Sequence, residues 1–354
     1  MRIIRRYLFK TVAANVGIVL LVILALSGFI NLIGQLGILE PGKYNLLQAI
    51  YYVTLRLPST AFDAIPMAAL IGSLLGLGSL AAHSEIIVLR AAGVSSFRLA
   101  VAVAATGMVL ALIALAVGEF IGPSLEQYAR QYRTLARSGQ ASAGFGIAAW
   151  VRDGNTFIHL SSPDADFRYG GVLMFEVEGN QLVSVAHADS VDIGQQGEWV
   201  MNNFTETRFL EDGVAAHQVR QLLEPRHLDS ELLALMQVRP DALNGPRLYR
   251  YIGYLRANGL DAQRYEMTFW ARIASALAVV PMSVLALPFS FGNLRRSGTG
   301  GRMLVGIIIG LVYFLGSKTF LDGGAVFGIA PAIVAFLPTV LLAGVAGVML
   351  ARAR

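Results

Sequence analysis

The 354-residue chain has no cysteine and only three lysines, Lys10, Lys43 and Lys318. Without cysteine there is no disulfide, no thiolate-bound metal and no thiol nucleophile. The scarcity of lysine bears on nucleotide binding, because a P-loop places a lysine behind a run spaced by glycines. Lys10 follows Phe9 and Lys318 follows Ser317, so neither of these two fits. The five histidines, at 83, 159, 187, 217 and 227, form no His-Glu-x-x-His, and no Gly-x-Ser-x-Gly occurs. No catalytic constellation, metal site or cofactor site is expected in this chain. Charge is also scarce, at 14% of residues against about 25% in soluble proteins. Hydrophobic residues make up 55%. That balance excludes a disordered chain and argues against a simple soluble enzyme.

What charge there is lies unevenly. Residues 123–266 hold 13 arginines and 18 acids, whereas the two ends together hold 15 basic and 5 acidic residues. The positives of the ends flank apolar runs, as in membrane proteins, rather than covering a polar face as in nucleic-acid binders, so no nucleic-acid partner is expected. The charge-free intervals are 11–39, 64–84, 99–118, 273–294, 303–317 and 323–351. Five reach the roughly 20 residues a membrane helix needs. The fifth in order extends through Lys318 to Leu321, because a lysine near a helix end can snorkel. Val16 to Ile30 carries only Ser27 as a polar side chain, which leaves no polar face for a soluble amphipathic helix.

Lysine and arginine then assign the sides. Arg2, Arg5, Arg6, Lys10, Arg90, Arg98, Arg295, Arg296, Arg302, Arg352 and Arg354 fall on one side. The opposite short loops hold only Lys43, Arg56 and Lys318. The positive-inside rule puts both termini in the cytoplasm and the long middle region outside.

That middle region reads as β structure over 147–223. Trp150-Val151-Arg152 and Phe157-Ile158-His159-Leu160 flank Asp153-Gly154-Asn155, and Val172-Leu173-Met174-Phe175 and Leu182-Val183-Ser184-Val185 flank Glu178-Gly179-Asn180. Trp199-Val200-Met201 and Thr207-Arg208-Phe209-Leu210 follow. Successive hairpin signals of this kind suggest a β-sandwich or jelly roll, either a folded sensor or scaffold or an open apolar groove. Helical connectors flank it. Glu126, Arg130, Arg133 and Arg137 share one face of a helix over 123–137, and 243–264 returns as a helix interrupted at Asn258-Gly259.

Charges at or within a span are candidates for function: Asp63, Glu119 and Lys318. Asp63 and Glu119 read first as interfacial. Lys318 can pair with Asp322 at i,i+4 or meet a partner's anion. Between spans two and three, Ser84 can cap a short helix that begins at Glu85, carries Arg90 near its end and stops at Gly93. It is either a connector on the lipid surface or a knob for a soluble partner such as a motor ATPase. Gly72 and Gly76, and Gly306 and Gly310, have the spacing of close helix packing.

The run Pro66-Met67-Ala68-Ala69-Leu70-Ile71-Gly72, followed by Gly76-Leu77-Gly78 and Ser84-Glu85, closely resembles the LptF/LptG lipopolysaccharide-export permeases. Gly118-Glu119-Phe120, Pro123, Glu126-Gln127 and Ala129-Arg130-Gln131-Tyr132-Arg133 are similar to the LptG branch in particular, as are Tyr251, Tyr254-Leu255, Gly259, Asp261-Ala262 and Arg264-Tyr265. The resemblance spans essentially the whole chain. It implies a membrane α-helical fold of six transmembrane helices with an inserted all-β periplasmic jelly-roll domain. Residues 1–122 would hold spans one to three with a coupling helix at about 84–94, residues 123–266 the periplasmic domain with its helical connectors, and residues 267–354 spans four to six.

The resemblance further implies a Gram-negative inner-membrane permease that takes lipopolysaccharide from the outer leaflet and passes it to a periplasmic bridge. The partners it implies are LptF in a heterodimer, a cytoplasmic LptB ATPase dimer that binds ATP and Mg, and LptC with the LptA bridge. Spans one and five would line a lateral gate and an apolar cavity. Glu85 matches the family's ATPase-contacting acid, with Arg90 and Gly93 on the same coupling element. Arg130 and Arg133 match residues that meet the glycolipid's anionic head, and Arg137 and Lys318 extend that set. Span position assigns Leu36, Ile65 and Phe320 to the acyl-chain cavity. In one departure, a basic residue late in span one of the family's LptG is here about Asn31, for which Lys43 and Arg137 are the alternatives. The rival readings are a membrane-anchored periplasmic sensor, a channel or secondary transporter, which predicts inverted repeats that are not evident here, and an intramembrane enzyme.

Overall fold

The computed structural model describes residues 2–39, 44–138, 149–161, 168–194, 197–226, 228–236, 238–291 and 299–352. Lys43, His227, Arg295, Arg296 and Arg354 lie outside them, as do the side chains of Arg2 and Arg302. The chain forms two compact units: Met1–Ile38 with Ala49–Ala129 and Gln263–Arg354, and Leu39–Gln48 with Arg130–Ala262.

The first unit is helical. Its elements are α1 (Arg2–Leu36), α2 (Leu46–Ala82), α3 (Glu85–Ala91), α4 (Ser96–Ala116) and the start of α5 (Gly122–Ser138). After α6 (Ser230–Met236) and α7 (Gly245–Ala257) of the second unit come α8 (Gln263–Phe291), α9 (Thr299–Phe327) and α10 (Pro331–Arg352). Among the described residues six helical stretches are long and apolar enough to cross a membrane: Ile3–Leu36, Leu46–Ala82, Ser96–Arg137, Gln263–Phe291, Met303–Gly324 and Pro331–Arg352. In hydrocarbon every backbone amide must bond within its own segment, and an uninterrupted helix does this. α2 begins well before residue 64, where the apolar run starts, and takes in Pro58, Pro66 and Arg56. Arg56 therefore lies inside a helix rather than in a loop, and Lys318 likewise lies inside α9.

The six stretches are buried to very different extents. The most apolar window of α2 is 78% buried within the structure, whereas those of α1 and α9 are each 11% buried. Small residues set the packing, as expected where lipid removes the water-driven term. A methyl group at Gly72 would lie 2.5 Å from the Val16 Cα, so α1 seats directly on α2. A Cβ at Gly306 or Gly310 would come within 2.9 Å of Ile71 or Met67, so α9 seats on the same helix. Gly72→Val is expected to cost about 1–3 kcal/mol, because the obstacle is backbone that must move. A lower midpoint in thermal unfolding of the detergent-solubilised protein checks this.

The second unit is built on β1 (Ala149–Asp153), β2 (Thr156–Leu160), β3 (Arg168–Tyr169), β4 (Val172–Glu178), β5 (Gln181–Ala188), β6 (Ser190–Ile193), β7 (Glu198–Leu210) and β8 (Gly213–Pro225). All pairings are antiparallel, in the order β1-β2-β4-β5-β7-β6-β3, with β8 also on β7. The β4–β5 turn is Gly179-Asn180, both with positive φ, which a two-residue turn of matching twist requires. β7 divides the sheet. One edge of it pairs with β8 along its length. The other pairs with β6 over residues 199–202 and with β5 over 205–208. Between those stretches Asn203 has φ 51 and bends the strand. The two limbs close over one core that includes Ile158, Leu160, Val172, Val191, Trp199 and Met201.

Trp199 is fully buried, and its indole N–H donates to the Leu228 carbonyl at 2.6 Å. α7, capped by the Asn244 side chain, holds the β1–β2 hairpin. The Tyr254 hydroxyl donates to the Arg152 carbonyl at 2.8 Å, and the Asn258 side chain accepts from the Gly154 N–H at 2.8 Å. Burial pushes the Tyr254 phenol above its ordinary pKa. The helix stops at Asn258-Gly259, with Gly259 at φ +64, where the sequence places the break.

Candidate functional site

In the helical unit the segment at 84–94 holds about two turns of helix with a defined stop. Gly93, at φ +87, donates to the Arg90 carbonyl at 3.0 Å, and Val94 donates to the Leu89 carbonyl at 3.1 Å. These two bonds make a Schellman ending, which only a residue at ease with positive φ closes cheaply. Ser84 does not cap the helix with its side chain as its position suggests. It sits at φ 62, with its N–H bonded to Ala81, because it also terminates α2 and so takes a left-handed conformation that turns its hydroxyl away. Ile86 is buried in the bundle core and anchors α3, while Val88 on the other side is 64% exposed. The Glu85 carboxylate accepts a hydrogen bond from the Tyr7 hydroxyl of α1 at 2.8 Å. The Arg90 guanidinium lies 5.1 Å from the centre of the Phe291 ring at the end of α8.

Two ion pairs sit among the apolar helices. Arg56 Nε donates to both carboxylate oxygens of Glu126, at 3.0 and 2.9 Å, and Glu126 is only 5% exposed. Arg56 also lies over the Tyr52 ring. Glu119 occupies a π-helical turn, Val117–Ile121, between α4 and α5, and pairs with Arg272 at 3.4 Å. Arg272 immediately precedes the fourth charge-free interval, and a single-sequence reading offers no sign that it points inward to Glu119. Glu126→Gln leaves the Arg56 charge without its counter-ion and is expected to cost about 2 kcal/mol. Thermal unfolding in detergent, with Arg56→Gln/Glu126→Gln recovering part of the loss, checks this.

Leu36 and Phe320 are exposed on α1 and α9. Ile65 is 5% exposed and packs with Ala69, Ala111, Ala114 and Val279, so it supports the bundle from within and offers little surface to a ligand. Lys318 is exposed on α9, and among the described residues no ion pair joins it to Asp322. In the second unit Arg130 meets Asp241 at 3.8 Å. Arg133 is half-buried and Arg137 exposed. Among the described residues no group of three or more His, Asp or Glu side chains is placed to hold a metal ion.

The family model "Lipopolysaccharide export system permease LptF/LptG" matches residues 6–352. The chain belongs to this family. The lipopolysaccharide export system permease protein LptG of Escherichia coli (strain K12) is 33% identical over 340 residues, covering 95% of this chain and 94% of the relative. LptG of Haemophilus influenzae is 28% identical over 351 residues, covering 99% and 98%. LptF of Escherichia coli (strain K12) is 24% identical over 322 residues, covering 88% and 85%.

As an LptF/LptG permease, the chain is a multi-pass membrane protein in which a bundle of apolar helices carries an inserted antiparallel β-domain. Its two least buried helices, α1 and α9, are spans one and five. The resemblance at 66–72, 118–133 and 251–265 falls on the interior of α2, on the π-helical turn with α5, and on the clamp between α7 and the β1–β2 hairpin.

Proposed function

We propose that this chain is the LptG-type half of a heterodimeric exporter in the inner membrane of a Gram-negative bacterium. It takes lipopolysaccharide from the outer leaflet and passes it to a periplasmic bridge. Its companion is an LptF-type permease, and a cytoplasmic LptB-type ATPase dimer binds ATP and Mg and supplies the work. LptC and LptA receive the glycolipid. The chain itself supplies no catalytic group and no cofactor site. Both termini lie in the cytoplasm and the β-domain in the periplasm.

The observation that carries this reading is the contrast among the spans. α1 and α9 leave their apolar sides open, yet both are seated on α2 through glycine contacts. Such faces suit acyl chains, whose contacts are dispersive and need no fixed partners. Leu36 and Phe320 belong to these faces, with Ile65 behind them. Arg130, Arg133, Arg137 and Lys318 are the cations that meet phosphates through charge-assisted bonds. Glu85, Arg90 and Gly93 form the coupling element that meets the ATPase. Closure of the motor moves α3, α1 moves with it through Tyr7 and Glu85, the cavity narrows and the acyl chains are driven upward.

The test is copurification of the full-length chain in detergent, with mass spectrometry of bound proteins and lipids. An ATPase, a second permease of this family and a lipopolysaccharide adduct are expected. Recovery without an ATPase or glycolipid would instead favour a membrane-anchored periplasmic sensor. Accessibility labelling that put residue 85 and the β-domain on the same side would overturn the topology.

A further inference from the structure

α1, Val94 and the start of α4 line a half-open pocket of about 330 Å3 that two arginines border. Its floor and walls are Ile4, Leu8, Val94, Leu99 and Ala102, and its rim carries Arg5 and Arg98. Leu8 and Leu99 are almost fully buried and belong to the bundle core, so the floor is continuous with the hydrophobic interior. Among the described residues neither guanidinium has a carboxylate or other side-chain partner. That is unlike Arg56 and Arg272, each of which faces an acid. The volume is at the lower end of ligand pockets, about 300–1,000 Å3. The α4 backbone begins at the rim, where Ser95 accepts from the Arg98 N–H, and its positive dipole end adds to the two charges.

We infer that this cavity binds the head group of an anionic phospholipid from the same leaflet. The phosphodiester would lie between Arg5 and Arg98, with the glycerol and first methylenes against Leu8, Leu99 and Ala102. Two uncompensated cations call for an anion. An apolar floor beneath two cations calls for a ligand that is half hydrocarbon, which inorganic phosphate is not. Basic pockets between membrane helices on the cytoplasmic side take anionic head groups for the same reason. The cytoplasmic placement rests on the topology proposed above, but the pocket shares no residue with the proposed export path, so failure of its test leaves that reading standing.

The test is native mass spectrometry of the delipidated full-length chain in detergent, given equal amounts of phosphatidylglycerol and phosphatidylcholine with the same acyl chains. Wild type is expected to retain phosphatidylglycerol about tenfold over phosphatidylcholine. Arg5→Gln and Arg98→Gln are each expected to remove about threefold, and the double variant to bring the two lipids level. Arg5→Lys/Arg98→Lys keeps the charges and the preference, which separates loss of binding from loss of fold. Equal retention by wild type, or a preference unchanged in the double glutamine variant, overturns the inference and leaves an acidic protein surface as the occupant. Displacement of phosphatidylglycerol by an equal concentration of inorganic phosphate also overturns it, in favour of a free-phosphate site.

Discussion

Glu85→Ala is expected to abolish ATP-driven transfer of lipopolysaccharide in reconstituted vesicles while leaving the chain folded and the complex assembled. Glu85 is half-buried, lies at the first position of a seven-residue helix and is held by the Tyr7 hydroxyl at 2.8 Å. Removing the carboxylate removes the group proposed to meet the motor and the contact by which α3 grips α1. ATP hydrolysis by the assembled complex should continue, since the proposed catalytic machinery lies in the partner, but transfer should fall to the level seen without ATP. Tyr7→Phe removes only the α1 grip, an exposed hydrogen bond, and is expected to slow transfer by about twofold. Wild-type transfer by Glu85→Ala would refute the assignment. A large defect in Tyr7→Phe with normal Glu85→Ala would move the coupling to α1 itself.

Arg133→Glu carries the second large effect. Reversing this charge replaces the proposed attraction to phosphate with a repulsion. The proposed head-group contact is charge-assisted, and loss of one such bond is worth about 1.5–3 kcal/mol, or roughly tenfold or more in binding. Photocrosslinking of lipopolysaccharide to the complex before ATP addition should fall by about that factor, and Arg133→Lys should recover much of it. Arg130→Glu is expected to do less to loading and more to the fold, because Arg130 already faces Asp241 in its own unit. Crosslinking equal to wild type in Arg133→Glu would remove this residue from the loading site.

Much of the architecture is legible in the residues. Apolar runs without polar side chains can only be buried or in lipid, and Asp-Gly and Gly-Asn between β-branched runs can scarcely be anything but hairpins. The close packing at Gly72, Gly306 and Gly310 is legible for a similar reason, since only glycine permits that approach. What escapes a single sequence is long-range pairing. Nothing in the order of residues joins Arg56 to Glu126 or Arg272 to Glu119, 70 and 153 positions apart. Arg56 accordingly reads as a loop cation although it lies inside α2. β8 falls largely within the stretch read as β but is not picked out as a strand, for another reason. Strand β8 mixes apolar and polar residues without regular alternation and is largely exposed along its length, so its partner β7 defines it. Ile65 shows the limit of assigning a role by span position alone, because depth in the bilayer does not say which way a side chain faces.

The common seat of α1 and α9 on α2 has a genetic corollary. Gly72 receives one of them, and Ile71 and Met67, its close neighbours on the same helix, receive the other. A bulky replacement on this stretch is therefore felt by both. Second-site revertants of a crippling change at Val16 should map not only to α2 but also to Gly306 and its surroundings, nearly three hundred residues downstream, and selection for restored growth would reveal the pattern.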